Sequence, residues 1–257
     1  MLHYTTAGSP DQPAVLFLHG FMGRCADWAP FIEAVQARAY CIAVDLPGHG
    51  GSVGLPDSAY TMDAAAHQLA RVLDGEAIAR CRIVGYSMGG RTALYFALTH
   101  PNRCMRLMLE SASPGLRTEA ERAARRRVDR QRAERIATHF DAFLRAWYRM
   151  PLFASLARHD LVDTMVQRRQ HNDPAELGKS LQGMGAGAQP SLWERIPSLR
   201  ISTRAFTGAL DDKYIRITRG MTALNPHIRS TLVPGAGHIV HAERPDAFIN
   251  TLHRFVD

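Results

Sequence analysis

A serine hydroxyl is a poor nucleophile or base at neutral pH unless a neighbouring base takes its proton, and that base needs an acid to orient it. One serine in this sequence has the context for such help: Ile83-Val84-Gly85-Tyr86-Ser87-Met88-Gly89-Gly90-Arg91. The apolar run Cys81–Val84 leads into Gly-x-Ser-x-Gly, and a helix-like run, Arg91–Leu98, leads out. This pattern holds a serine on a sharp strand-to-helix turn with its hydroxyl pointing out of the sheet. Glycine is required on either side, because a side chain there would strike the backbone packed around the turn. Ser87 is therefore the candidate nucleophile or base.

Its partners should come later in the chain, acid before histidine, each in a loop after a strand. His238, in Pro234-Gly235-Ala236-Gly237-His238, follows the last strand-like run, and Asp211, in Gly208-Ala209-Leu210-Asp211-Asp212-Lys213, follows an earlier one. Asp212 is a rival acid; the Gly-x-x-Asp spacing favours Asp211. Developing negative charge on a substrate oxygen needs two backbone N–H donors. Met88, directly after Ser87, supplies one, and Phe21, after His19-Gly20, supplies the other. Among the remaining histidines, His19 is expected to fix backbone geometry, His241 to support the His238 loop, and His49 to lack a partner. No histidine pair has metal-ligand spacing with a carboxylate, so no metal site is expected.

These loops need strands to carry them. Ala14–Leu18 and Cys41–Val44 are continuous apolar runs, as in strands buried on both faces. Leu2–Thr6 is a short edge strand, and Met105–Leu109, Ile201–Phe206 and Arg229–Val233 are further strands. Helices are expected after Asp27 as cap, over Tyr60–Ala79, and over Pro245–Phe255. The alternation predicts an α/β protein with a mostly parallel, doubly wound sheet. From Ser113 to about Gln189 only helical stretches occur, among them Thr118–Thr138, Phe140–Tyr148 and Leu161–Arg169. The expected division is a core of residues 1–112 and 190–257 with a helical cap, 113–189, inserted between sheet strands. Gly183–Gly187 has the composition of a flexible connection.

A chain of 257 residues that is 46% apolar can bury a sizeable core. No signal peptide is seen at the N-terminus, no apolar run nears the ~20 residues of a membrane span, and the four cysteines are scattered. A cytoplasmic protein with reduced core thiols is expected. The net charge of +7 is carried almost wholly by arginine, Lys179 and Lys213 being the only lysines. Arginine's planar fork suits bidentate recognition of carboxylates. Nucleic-acid binding is disfavoured, because the basic run in Thr118–Thr138 is interleaved with acids and carries no groove-reading motif.

Together the motifs resemble the α/β-hydrolase fold and, more narrowly, the family of 2-succinyl-6-hydroxy-2,4-cyclohexadiene-1-carboxylate synthases of menaquinone biosynthesis. The similarity is carried by Gly85–Arg91, Glu110–Leu116, Trp147–Leu156, Arg168–Asn172, Gly187–Leu192, Asp211–Tyr214 and Gly237–Pro245. The resemblance implies a lyase with hydrolase machinery that needs no cofactor and no obligate protein partner. Ser87, activated by His238 and Asp211, would abstract a ring proton, and loss of pyruvate would follow. Its polycarboxylate substrate implies binding residues at the matching positions Tyr86, Arg91, Arg125, Trp147 and Arg169. The departures are Ala209, where an acidic residue is common, and an unusually arginine-rich cap helix. A carbon–carbon bond hydrolase or carboxylesterase of the same fold would use the same triad, and a binding protein that had lost catalysis would not keep it intact.

Overall fold

The structure is a computed structural model and describes residues 1–257. In chain order, β1 (Tyr4–Ala7), β2 (Ala14–Leu18), α1 (Ala29–Val35), β3 (Tyr40–Val44), α2 (Met62–Gly75), β4 (Cys81–Tyr86), α3 (Met88–Thr99) and β5 (Cys104–Glu110) form the first block. Four helices without a strand follow: α4 (Glu119–Thr138), α5 (Phe140–Trp147), α6 (Val162–Arg169) and α7 (Pro174–Met184). β6 (Ser202–Gly208), α8 (Asp212–Leu224), β7 (Ile228–Val233), α9 (Val240–Glu243) and α10 (Pro245–Val256) complete the chain.

The seven strands form one sheet in the order β1-β3-β2-β4-β5-β6-β7. Only β1 runs antiparallel to its neighbour. All residues of β2, β3 and β4 are buried, which is why their sequences, apart from Arg82 in β4, are apolar without alternation. Leu16 and Leu18 pack into a core with α2 and α3 on one face, and Val15 and Phe17 into a second core with α1 and α10 on the other. The second core continues without a break into the helical segment through Ile136, Phe143, Leu144, Phe153 and Leu177. The helices between β5 and β6 are thereby fixed to the sheet by shared apolar burial.

From β2 the chain goes to β3 on one side, and β4 then lies on the other, so the strand order reverses between β2 and β4. Ligands in parallel sheets bind at the carboxyl ends of strands where such a reversal opens a crevice. Leu18 stands opposite Gly85, Tyr86 opposite Glu110, and Gly208 opposite Val233. The loops after β2, β4, β6 and β7 therefore leave from one edge of the sheet.

Three local expectations are corrected, and one helix is added. The helix expected over Tyr60–Ala79 is confined to Met62–Gly75, because the Thr61 hydroxyl accepts the Ala64 N–H at 3.1 Å and caps it. Asp27 is not a helix cap; it lies inside a 3-10 turn (Cys25–Trp28), accepting the Arg24 N–H and pairing with Arg169. Helix α7 is the addition, capped by the Asp173 carboxylate, which accepts the Ala175 and Glu176 N–H groups. Gly183–Gly187 is no flexible connection: a Cβ at Gly183 would lie 1.7 Å from the Tyr60 carbonyl oxygen, and one at Gly187 2.5 Å from the Arg126 nitrogen. These glycines permit close backbone contact rather than freedom.

Helix α4 buries Asp129, Ala133 and Ile136, spaced to share one face, and leaves Arg127, Arg130 and Arg135 exposed. A helix so polar depends on its ends. The Thr118 hydroxyl accepts the Glu121 N–H at 3.1 Å, and the Glu121 carboxylate accepts the Thr118 N–H at 2.8 Å, a reciprocal cap. Thr118→Ala is expected to cost about 1 kcal/mol, read as a lower midpoint in urea unfolding; an unchanged midpoint would show that the cap contributes nothing. All four cysteines are buried free thiols, and burial pushes those of Cys41 and Cys81 up to about 12. No helix is long and apolar enough to cross a membrane.

Candidate active site

β4 runs directly into α3, and Ser87 makes the turn with φ 49° and ψ −106°. A residue other than glycine pays about 1–3 kcal/mol for that backbone region. The turn is held by close packing. A Cβ at Gly89 would lie 2.2 Å from the Leu18 carbonyl oxygen, and one at Gly85 2.7 Å from the Gly89 oxygen. The Ser87 N–H donates to the Glu110 carbonyl at 2.8 Å, tying the turn to the end of β5.

Ser87, His238 and Asp211 are brought into one hydrogen-bonded line. His238 Nε2 lies 3.1 Å from Ser87 Oγ, and His238 Nδ1 lies 2.8 Å from Asp211 Oδ2. The imidazole and the carboxylate are both buried. The second Asp211 oxygen accepts the Tyr214 N–H at 3.1 Å, so the acid also caps α8. Asp212 is exposed on the first turn of α8 and does not meet His238. A carboxylate–imidazole–hydroxyl line of this geometry can move a proton from the serine and hold the resulting imidazolium.

The loop after β2 lies beside this line, and two buried histidines fix it. His19 Nε2 accepts the Leu46 N–H at 3.0 Å, and its Nδ1–H donates to the Gly20 carbonyl at 2.8 Å. His49 does have a partner: its Nε2 accepts the Met22 N–H at 3.0 Å, while Nδ1–H donates to the Pro47 carbonyl. The Phe21 N–H, between these anchors, has no acceptor within the protein. Met88 is the first residue of α3, so its N–H has no partner in the helix. Burial pushes the His19 imidazole below its ordinary range and His49 down to about 3. Below pH 6.5 the unfolded chain thus binds a proton at His49 that the folded chain refuses. Stability should therefore fall with falling pH, at about 1.4 kcal/mol per unit from this group, until about pH 3. His49→Gln is expected to flatten that acid slope in urea unfolding, and an unaltered slope would refute the assignment.

The triad opens into a cavity of about 280 Å³ whose walls come from both the sheet loops and the α4–α7 segment. Phe21, Tyr86, Met88, Arg91, Arg125, Trp147 and Arg169, each named from the sequence, all line it. Arg125 turns inward with Nε on Asp129 at 2.7 Å, whereas Arg126 pairs with Glu119 and Arg127 is exposed. Arg169 is buried, with Nη1 2.5 Å from Asp27 and Nε near the Tyr148 hydroxyl. Arg91 differs from both. It is 9% exposed, and Nη1 donates to the Met184 carbonyl at 3.0 Å and to Gln189 Oε1 at 2.7 Å. Both acceptors are neutral, and burial lowers its pKa to about 10.

The family model described as alpha/beta hydrolase fold matches residues 13–245. A Bacillus subtilis relative is 36% identical over 97% of this chain and 92% of its own length. The 2-succinyl-6-hydroxy-2,4-cyclohexadiene-1-carboxylate synthase of Enterobacter sp. (strain 638) is 35% identical over 95% of this chain and 91% of its own. The chain belongs to this synthase family. Among solved structures, MenH from S. aureus superposes with a TM-score of 0.94 at 31% identity, covering 100% of this chain and 98% of that one. The resemblance read from the sequence motifs holds over the full fold.

In this synthase-family chain the cavity also holds charged groups with no site role expected from the sequence, and it shows how His241, expected to support the His238 loop, is itself held. Arg117 and Lys213 add positive charge, and Asp27 and Glu121 add carboxylates. His241 lines the wall with its Nδ1 on the fully buried Glu110 at 2.8 Å, and its backbone N–H donates to the same carboxylate. This second imidazole–carboxylate pair ties the His238 loop to the strand end that holds Ser87. No local signal joins residues 131 apart in the chain. Both residues did stand inside segments that carried the family resemblance.

Proposed function

We propose that this protein eliminates pyruvate from 2-succinyl-5-enolpyruvyl-6-hydroxy-3-cyclohexene-1-carboxylate, giving 2-succinyl-6-hydroxy-2,4-cyclohexadiene-1-carboxylate. The observation that carries the reading is Arg91, a buried guanidinium one turn beyond Ser87 with only neutral partners. Burying a cation without an acid is costly, and an anionic substrate offsets that cost only when bound. An esterase for neutral substrates gains nothing from it.

In this reaction the Ser87 hydroxyl proton passes to His238, and the serine oxygen takes the ring proton next to the succinyl carbonyl. Asp211 holds the imidazole in the tautomer that accepts from serine and stabilises the imidazolium. The enolate that forms is held by the N–H groups of Phe21 and Met88, which need no reorganisation as charge develops. Its electrons return through the ring double bond and break the carbon–oxygen bond to the side chain. The leaving enolate gains a proton to become pyruvate. Arg91, Arg125 and Arg169 hold carboxylates, and Tyr86 and Trp147 pack the ring between them. No water enters the chemical equation, so the hydrolase machinery serves proton abstraction.

The test supplies the enolpyruvyl cyclohexene, made in place by the enzyme that forms it, and follows pyruvate with a coupled dehydrogenase. Release well above the spontaneous rate is expected. Release at the background rate, alongside turnover of simple esters, would replace this reading with a carboxylesterase.

A further inference from the structure

Five cations line the cavity: Arg91, Arg117, Arg125, Arg169 and Lys213. Two are paired with acids and a third is stacked on a ring. Arg169 is paired with Asp27 and Arg125 with Asp129. Arg117 stacks its guanidinium 3.7 Å from the Trp193 ring and lies in the field of Glu121. Arg91, Arg117 and Lys213 have no carboxylate in ion-pair contact, and of these Arg117 is covered by the Trp193 ring while Lys213 stands farther, 5.5 Å, from the Tyr214 ring.

Lys213 is the least expected of the three. It follows Asp211 and Asp212 in sequence and pairs with neither, since Asp211 is committed to His238 and to the Tyr214 N–H. Its ammonium instead lies 5.5 Å from the Tyr214 ring centroid, and that ring is 4.6 Å from the His238 ring. Lys213 is an exposed residue at the cavity edge; crowding by the surrounding protein lowers its pKa, and Arg125, Arg132 and Arg91 lower it further against the opposing field of Asp211. Cations that outnumber the acids around them repel one another and weaken the fold, and the arrangement becomes favourable once an anion enters.

We propose that Lys213 anchors a carboxylate of the substrate on the α8 side of the cavity and so helps to set the preference for a polyanion. This deepens the lyase reading and takes its substrate class from it. A flexible point charge at the mouth suits capture of a carboxylate whose position differs between free and bound substrate. Lys213 makes no hydrogen bond or ion pair with the triad, so it should contribute to binding more than to the chemical step.

The experiment compares Lys213→Gln and Lys213→Arg with the wild type in two assays. One is pyruvate release, resolved into kcat and KM. The other is calorimetric binding of benzene-1,3,5-tricarboxylate, a polyanion that cannot react. Lys213→Gln should raise KM and weaken probe binding about tenfold or more while kcat stays within about threefold. Lys213→Arg should recover part of both, and added salt should narrow the difference. Unchanged KM and probe affinity would overturn the proposal and leave an ordinary surface lysine. A fall in kcat at constant KM would overturn it as well, assigning Lys213 to the Asp211–His238 pair. If the wild type releases no pyruvate yet probe binding still depends on Lys213, the anion site stands and the lyase reading falls.

Discussion

Ser87→Ala is expected to lower the rate of pyruvate release about 10³-fold with little change in KM. The reason is geometric. His238 Nε2 is 3.1 Å from the serine oxygen, so the hydroxyl is the group through which the triad reaches substrate. A positioned acid–base group contributes about 10²–10⁴-fold, and here one removal silences both the base and the relay behind it. Binding should persist, because the cations and aromatic walls are untouched. Residual catalysis by the Phe21 and Met88 N–H groups would remain above the background. A variant that kept wild-type pyruvate release while losing all ester hydrolysis would remove Ser87 from the elimination and point to His238 as the direct base.

Arg91→Gln should cost about 10²-fold or more in kcat/KM, the scale of losing one partner of a buried charge pair at roughly 3–5 kcal/mol. The stability of the empty protein should not fall with it. The guanidinium is buried against Met184 and Gln189 with no acid to balance it, so its removal relieves a desolvation cost. Thermal unfolding without ligand, beside kinetics, separates the two effects. A drop in both stability and activity would make Arg91 a structural strut. Arg91→Lys should recover little, because an ammonium lacks the planar fork in which Nη1 holds both neutral acceptors while the other nitrogens can face a carboxylate.

The parts of this site that were legible in the sequence are those where the backbone itself is constrained. Gly85 and Gly89 flank Ser87 because nothing larger fits, and the loops of Asp211 and His238 follow strands whose apolar runs mark them. Their order in the chain named the triad. The cap arginines were reached through resemblance, since seven arginines on one helix look alike until the fold shows that Arg125 turns inward. Pairings over long separations left no local trace: Asp27 with Arg169, Glu110 with His241, Tyr60 with Glu176. The same holds for Gly183–Gly187, whose composition suggests freedom and whose neighbours remove it. Lys213 was visible as one of two lysines, but its cavity position depends on where α8 begins.

The strained turn at Ser87 also limits what this position could become by mutation. At φ 49° a branched Cβ adds strain, so threonine fits there less well than serine although it carries the same hydroxyl. Cysteine and aspartate are unbranched at that atom and differ from serine in the chemistry they offer. The turn thus acts as a sieve on descent: lineages can pass from alkoxide to thiolate to carboxylate at one position without rebuilding the sheet, and the route through threonine carries the added strain.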